Sequence, residues 1–127
     1  MKNITIKKTE FTPFVKLDAK KHIHEIRGES YPENSIEYYE PIIEWLEKYI
    51  EKLKKREKAV FNLEIIYFNS STSKILMDIF DILDEGAKKG KTLEVNWYYD
   101  EDNDIALECG MEFKEDLKHL IFNIKKV

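Results

Sequence analysis

The chain has 127 residues, of which 43% are hydrophobic and 36% charged, a balance typical of a folded globular domain rather than a disordered segment. A single domain spanning residues 1–127 can bury a sufficient core at this length without disulfide or metal support. The net charge is −4, from 21 basic and 25 acidic side chains, so the chain lacks the excess of basic residues that is typical of nucleic-acid-binding proteins.

The chain also lacks the patterns of export and of membrane insertion. No run of about 18 apolar residues predicts a transmembrane helix. The segment Met1–Lys8 has neither the apolar centre nor the small-residue cleavage site of a signal peptide. Cys109 is the sole cysteine, so no disulfide can form within the chain. These features predict a cytoplasmic protein with no membrane partner.

The first predicted elements are the two strands of an N-terminal hairpin. Thr9–Leu17 forms the first strand; Pro13 cannot donate a ladder hydrogen bond, which favours a sheet edge or a strand that begins after it. A lysine-rich turn leads to a second strand at His22–Gly28. His22 and His24 fall on one face of that strand, and we expect them to face solvent, because no third ligand nearby completes a metal site.

A long amphipathic helix follows, capped by Asn34 or Ser35. Pro41 interrupts the pattern, so the main helix either starts there after a short turn or is kinked. The charged opposite face is typical of a solvated helix surface. The predicted apolar stripe, with alternating spacings of three and four residues, consists of Ile36, Tyr39, Ile43, Leu46, Ile50 and Leu53.

A strand at Val60–Phe68, rich in β-branched and aromatic residues, precedes a second amphipathic helix that contains Ile75–Leu83. Between them lie Asn69 and four consecutive hydroxyl side chains, Ser70–Ser73. Such side chains accept hydrogen bonds from the free N–H groups of a first helical turn. The simplest interpretation is therefore an N-cap that joins a strand to a helix.

The same position also suits phosphorylation. The N-terminus of a helix presents free N–H donors and the positive end of the helix dipole, both of which favour an anion. A phosphoryl group on Ser70, Ser71 or Thr72 would occupy this end and add roughly −1.5 to −2 charges. Lys74 follows closely enough to help neutralise it.

The second helix ends among Gly86, Gly90 and several lysines. An alternating strand, Thr92–Tyr99, comes next, and a final strand is predicted at His119–Ile124 after a turn at Phe113–Leu117.

An acidic turn at Asp100–Asp104 is open to two interpretations. Its carboxylates are suitable ligands for Ca²⁺ or Mg²⁺, but the sixth and twelfth positions counted from Asp100 hold Ile105 and Met111, where an EF-hand requires Gly and Glu. Acidic residues also favour the start of a helix. We expect that helix at about Asp102–Cys109, ended by Gly110.

The predicted order is β-β-α-β-α-β-α-β. It indicates an α/β (α+β) fold, with one mixed sheet, an N-terminal hairpin and helices mainly on one face. The chain contains no Gly-rich phosphate loop, nucleophile elbow, HExxH or CxxC motif. We therefore expect no cofactor and no catalytic residues. A small enzyme remains an alternative, because residues distant in sequence can meet in the fold.

Four segments together resemble the SiaC family of small bacterial regulatory phosphoproteins. They are Gly28–Asn34 (G-E-S-Y-P-E-N), Tyr38–Ile42 with the nearby Trp45 and Leu46, Tyr67–Lys74 (Y-F-N-S-S-T-S-K) and Trp97–Asp100. The resemblance extends from about Thr12 to Leu117.

The resemblance implies a partner-switching domain with a fold similar to STAS anti-sigma-factor antagonists. Family members are phosphorylated by a dedicated Ser/Thr kinase of the SiaB type and dephosphorylated by a PP2C-type phosphatase. The unphosphorylated form binds and activates a diguanylate cyclase, which raises cyclic di-GMP and promotes aggregation or biofilm formation. The phosphorylated residue follows the Asn of the Tyr-x-Asn segment, which corresponds to Ser70, with Ser71 and Thr72 as alternates.

On this basis Asn69 and Lys74 are candidates for neutralising the phosphate or binding the partner. A constitutive adaptor without a phosphorylation switch is the main alternative. The possible partner surface consists of Tyr31, Glu33, Asn34, Tyr98, Tyr99 and Asp100.

Overall fold

The computed structural model describes residues 1–127, which form six strands and three helices. In chain order these are β1 (Ile4–Ile6), β2 (Phe14–Asp18), β3 (Ile23–Ser30), α1 (Ser35–Lys52), β4 (Lys58–Phe68), α2 (Ser70–Lys88), β5 (Thr92–Tyr99), α3 (Asp104–Glu115) and β6 (Ile121–Lys126).

All six strands form one sheet in which the spatial order equals the chain order. β1, β2 and β3 are antiparallel neighbours, whereas β3 to β6 are parallel and each parallel connection contains a helix. Because right-handed crossovers that advance in one direction leave their helices on one side, all three helices cover the same face. The predicted mixed sheet with helices on one face is confirmed.

The core lies between the sheet and the helices. β4 turns its odd-numbered residues toward the helices, and Phe61, Leu63 and Ile65 are all buried. α1 and α2 pack closely at Gly86, where a Cβ atom would lie 2.8 Å from Cγ2 of Ile50. This approach favours glycine at position 86, and α2 ends two residues later at Lys88, among the glycines and lysines where its end was predicted.

The opposite face of the sheet is not covered by a helix and carries polar side chains. A ladder of amides crosses β4, β5 and β6: Asn96 donates to Asn62 at 2.9 Å, and Asn123 donates to Asn96 at 3.0 Å. Lys58 and Glu94 form an ion pair on this face at 3.0 Å. Asn96, at the centre of this ladder, is 4% exposed, so its amide depends on these partners rather than on water.

Several predicted boundaries differ from the structure in the first half of the chain. β1 was not predicted; it pairs with β2 and is held by a hydrogen bond from the Trp45 indole to the Lys2 carbonyl, 2.7 Å. β2 begins after Pro13, as one alternative proposed. α1 begins at Ser35 and runs through Pro41, so a main helix starting at the proline is wrong. Ile36 is 71% exposed and is not part of the core stripe.

In the second half, α3 begins at Asp104 and continues through Gly110 to Glu115, so the predicted stop at Gly110 is wrong. The glycine is required because a Cβ there would lie 2.5 Å from Cδ1 of Trp97. The final strand begins two residues later than predicted because Asp84 holds the preceding loop, accepting from the N–H groups of His119 and Leu120 at 2.8 Å each.

The expectation that His22 and His24 face solvent is also wrong. His24 is 1% exposed, and its ring stacks on Phe61 with centroids 4.5 Å apart. His22 lies in the turn before β3, half-buried, where its ring nitrogens contact the Tyr49 hydroxyl at 2.7 Å and a Glu57 carboxylate oxygen at 3.0 Å. Aromatic packing from α1, which no local pattern reveals, decides both positions.

Candidate functional site

The fold brings two helix N-termini together at one end of the sheet, where β3 and β4 terminate. β3 and β4 are parallel neighbours, so α1 and α2 both begin just beyond the same end of the sheet. Asn34 caps α1 by accepting from the Glu37 N–H at 3.1 Å. Asn69 caps α2 by accepting from the Thr72 N–H at 2.9 Å. The capping role predicted for this region is therefore present at both helices, and both positive dipole ends point to one surface.

Thr72 is buried at this end of the sheet. It is 0% exposed, and its hydroxyl donates to the Ser30 carbonyl at 3.1 Å. The Ser30 hydroxyl lies 3.1 Å from that of Thr72 and 2.7 Å from that of Tyr39. Burial raises the pKa of Tyr39 well above its ordinary value, so the phenol stays protonated. This buried hydroxyl network joins the end of β3 to both helices.

Ser71 is exposed, but its hydroxyl is already engaged. It lies 2.8 Å from the hydroxyl of Ser35, the first residue of α1, and donates to the Asn69 carboxamide oxygen at 3.1 Å. Ser71 therefore links the two helix N-termini directly.

Ser70 differs from both neighbours. It is exposed, is the first residue of α2, and its hydroxyl makes no hydrogen bond within the chain. Lys74, one turn later, is exposed and forms no ion pair. The first turn of α2 contains no acidic residue that would compete for the dipole. Of the three candidate hydroxyls, only that of Ser70 is both exposed and unengaged.

The remaining residues of the predicted partner surface lie around the same end of the sheet. Tyr31 follows β3, and Glu33 and Asn34 precede α1. Tyr98, Tyr99 and Asp100 lie at the end of β5 and line a groove of about 330 Å³ together with Ile66 and Asn103. Tyr31, Glu33 and Asn34 are thus on the α1 side of β4, and the residues of β5 are on its other side.

The acidic turn serves as a helix cap. Asp100 accepts from the Asp102 N–H at 2.9 Å, and Asn103 caps α3 by accepting from the Ala106 N–H at 3.1 Å. Asn103 also donates to the Ile66 carbonyl at 2.9 Å, which fastens this turn to β4. No group of three or more His, Cys, Asp or Glu side chains in the molecule is arranged to hold a metal ion.

The three histidines lie at the opposite end of the sheet, where β3 and β6 begin. His22 and His24 are at the start of β3, and His119 precedes β6. Six residues of strand separate His24 from Ser30, which corresponds to about 20 Å. The hydroxyl network therefore has no histidine beside it to act as a base.

Sequence reasoning named Ser35 as a candidate cap and Tyr39 as a core residue, but it did not place them or Ser30 in this network. The available signal was their place in the chain: Ser30 closes a strand, and Ser35 opens the helix that follows. Their meeting with Thr72 depends on β3 and β4 being neighbours, which no local pattern specifies. None of the three helices is long and apolar enough to cross a membrane.

Comparison with known proteins agrees with this architecture. The model of the SiaC family regulatory phosphoproteins matches residues 6–127. An uncharacterized protein of Pseudomonas aeruginosa (strain UCBPP-PA14) is 33% identical over 116 residues, covering 91% of this chain and 90% of the relative.

Solved structures of SiaC from Pseudomonas aeruginosa have the same fold. Apo-SiaC superposes with a TM-score of 0.87 at 30% identity, covering 98% of this chain and 99% of that chain. SiaC in complex with the diguanylate cyclase SiaD, which it activates, superposes with a TM-score of 0.90 at 31% identity and the same coverage. Family model, sequence and structure all agree over nearly the whole length, and the chain belongs to the SiaC family of regulatory phosphoproteins.

Proposed function

We propose that this protein activates a diguanylate cyclase by binding it, and that phosphorylation of Ser70 releases the cyclase. The observation that carries the switch is the state of the hydroxyls: Ser70 is exposed and unengaged, Ser71 is bonded to Ser35, and Thr72 is 0% exposed. A kinase can reach the Ser70 hydroxyl without opening the fold. The complex of the structural neighbour SiaC with SiaD supports a cyclase as the partner.

The proposed mechanism is electrostatic. When Ser70 is unmodified, the end of the sheet that carries the two capped helix N-termini docks onto the cyclase. A phosphoryl group on Ser70 adds roughly −1.5 to −2 charges and is stabilised in the free protein by the α2 dipole and by Lys74. Docking must then remove water from that charge, which opposes binding. A kinase of the SiaB type and a PP2C-type phosphatase would set the phosphorylated fraction.

In this proposal the candidate partner surface surrounds Ser70. Tyr31, Glu33 and Asn34 border it on the α1 side, and Tyr98, Tyr99 and Asp100 border it across β4. Asn69 retains its capping role in either state. The protein itself carries out no chemistry and acts within the cell by presenting this surface.

The test measures binding to the cognate cyclase with Ser70→Ala and Ser70→Asp variants. Ser70→Ala should bind like wild type and resist the kinase, whereas Ser70→Asp should weaken binding by at least about tenfold. Lys88→Gln is the matched control, since it makes the same change in net charge at an exposed position at the far end of the same helix. Equal binding by Ser70→Asp and wild type would instead indicate a constitutive adaptor.

Phosphopeptide mass spectrometry on the protein isolated from its own cells locates the modification. We expect the phosphate on Ser70. A phosphate on Ser71 would move the switch by one residue and would require the bond between Ser71 and Ser35 to break.

A further inference from the structure

Three aromatic side chains form a row on the surface close to Ser70. The ring centroids of Phe11 and Tyr31 are 5.4 Å apart, and those of Tyr31 and Tyr67 are 5.6 Å apart, both in edge-to-face geometry. Phe11 is 51% exposed and Tyr67 is 54% exposed. We name Phe11, Tyr31 and Tyr67 the aromatic ridge. Ile66, 57% exposed, lies beside Tyr67 in the chain.

A bulge between β3 and β4 produces the outward position of Tyr67. The register shifts between Gly28 and Glu29, so that Gly28 pairs with Ile65 and Glu29 with Tyr67. Gly28 has a φ of 116°, a conformation that favours glycine. The extra residue in β4 reverses the inward–outward alternation of the side chains that follow it. Bulges commonly redirect a side chain in this way. Without it, Tyr67 would point into the core.

Backbone hydrogen bonds hold Phe11 in the same row. The Thr9 hydroxyl accepts from the N–H groups of Phe11 at 3.2 Å and Thr12 at 3.0 Å, forming a tight turn. The Tyr31 N–H donates to the Phe11 carbonyl at 2.8 Å, which fastens this turn to the end of β3. The backbone of Phe11 is therefore held in a defined position beside Tyr31.

Two carboxylates accompany the ridge without a cationic partner. Glu29 lies opposite Tyr67 in the register of the sheet, and Glu10 directly precedes Phe11. Neither forms an ion pair within the chain, unlike Glu25 and Glu64, which both pair with Arg27. Partial burial raises the pKa of Tyr31, and the charges of Glu29 and Glu10 raise it further.

We propose that the aromatic ridge is a docking surface that binds an arginine side chain of a partner protein. A guanidinium group stacks on aromatic rings and donates several hydrogen bonds to carboxylates at once, which an ammonium group does less well. The rings of Tyr31 and Tyr67 supply the first contact, and Glu29 and Glu10 supply the second. This inference adds to the proposed function, since it assigns the ridge a binding role that does not require modification of Ser70.

The test is an NMR titration of the full-length, ¹⁵N-labelled protein with the peptide acetyl-Gly-Leu-Arg-Gly-amide. The backbone amides of Glu29, Tyr31 and Tyr67 should shift with a saturating dependence on peptide concentration. The matched lysine peptide should bind about threefold to fivefold more weakly, because its ammonium group stacks less favourably. The matched glutamate peptide should produce no shift at these amides.

Two variants with matched controls test the named contacts. Tyr67→Ala should raise the dissociation constant about fivefold, whereas Ile121→Ala, which removes a 46% exposed side chain from the edge strand β6, should leave it unchanged. Glu29→Gln should weaken binding to a similar degree, and Glu115→Gln, at the exposed end of α3, should not.

Three results would overturn the inference: no saturable shift at the ridge, equal binding of the lysine peptide, or shifts confined to the acidic groove between α1 and α2 that contains Glu47, Glu51, Asp81 and Glu85. The last two would indicate attraction by charge alone. Because the titration uses neither the cyclase nor a Ser70 variant, its failure leaves the phosphorylation switch intact, and failure of the switch leaves the ridge intact.

Discussion

At the residue scale, neighbouring hydroxyl groups of similar chemistry have different roles because their surroundings differ. Ser70 lies in water and is free to be modified, whereas Thr72 is fully enclosed and bonded to the end of β3. A buried hydroxyl whose partner is left unsatisfied costs more than an exposed one, because water cannot replace the lost bond. In the proposed switch, the residue that is modified and the residue that stabilises the fold are therefore different residues within one helical turn.

Replacing Thr72 with Val keeps the side-chain shape and removes the hydroxyl. The Ser30 carbonyl and hydroxyl each lose a partner, so the free energy of unfolding should fall by about 1–3 kcal/mol. Urea denaturation measures this value. Ser70→Ala serves as the control and should change stability by less than about 0.5 kcal/mol. Equal stability of Thr72→Val and wild type would show that the network contributes nothing.

His24 predicts a dependence of stability on pH. Burial, reinforced by His22, lowers its pKa from 6.5 to about 4, with Asp18 opposing the shift. Its Nδ1 accepts from the Asp18 N–H at 3.0 Å, and Nε2 has no partner, so the neutral ring fits and the charged ring does not. As the pH falls below 6.5 the unfolded chain binds the proton first. Stability contributed by the neutral ring is thus complete above pH 6.5 and is lost toward pH 4.

Between pH 6.5 and pH 5 this loss should amount to about 2 kcal/mol in the free energy of unfolding. Urea denaturation at several pH values measures it. His24→Phe should remove this part of the pH dependence, at some cost in stability from the unpaired Asp18 N–H. His119→Gln should retain it. An unchanged slope in His24→Phe would show that another group is responsible.

At the element scale, close packing explains why α3 contains a glycine at position 110 and does not end there. Gly110 lies inside the helix and faces Trp97, whose indole donates to the Ala106 carbonyl at 2.9 Å. α1 and α2 show the same relation, since Gly86 permits their approach. Two glycines that look like helix stops in the sequence are thus sites of close contact.

Gly110→Ala tests this interpretation through the sign of its effect. Propensity alone favours alanine in a helix by about 1 kcal/mol. Because the added Cβ would lie 2.5 Å from Trp97 Cδ1, we expect instead a destabilisation of about 1–3 kcal/mol. Thermal and urea unfolding measure the change, and Glu108→Ala on the exposed side of α3 provides the control. A more stable Gly110→Ala protein would contradict the proposed packing.

At the scale of the whole molecule, the candidate binding features gather at one end of the sheet, together with the buried hydroxyl network of Thr72. Both helix caps and Ser70 lie just beyond the ends of β3 and β4, and Tyr67 of the aromatic ridge is the penultimate residue of β4, whereas His22, His24 and the loop held by Asp84 lie at the other end of the sheet. The Ser70 hydroxyl takes no part in that network, so the proposed phosphorylation would change the surface without breaking these buried bonds.

Ser70→Asp should accordingly separate stability from binding. An acidic residue in the first turn of α2 interacts favourably with the helix dipole, so the free energy of unfolding should rise by about 0.3–1 kcal/mol while cyclase binding weakens. Unfolding and binding are measured on the same preparation, with Lys88→Gln as the charge-matched control. A destabilised Ser70→Asp protein would mean that its weaker binding reflects loss of structure.

The sequence alone determined the order of strands and helices from β2 onward, the Asn69 cap, the strand Thr92–Tyr99 and the family resemblance. These features depend on hydrophobic period and capping chemistry within a few neighbouring residues, which is local information. Only the tertiary structure decided the burial of His24, the course of α3 through Gly110, the outward position of Tyr67 and the bond between Ser71 and Ser35. Each of these depends on which strands are neighbours and in which register, and contacts between distant segments set that choice.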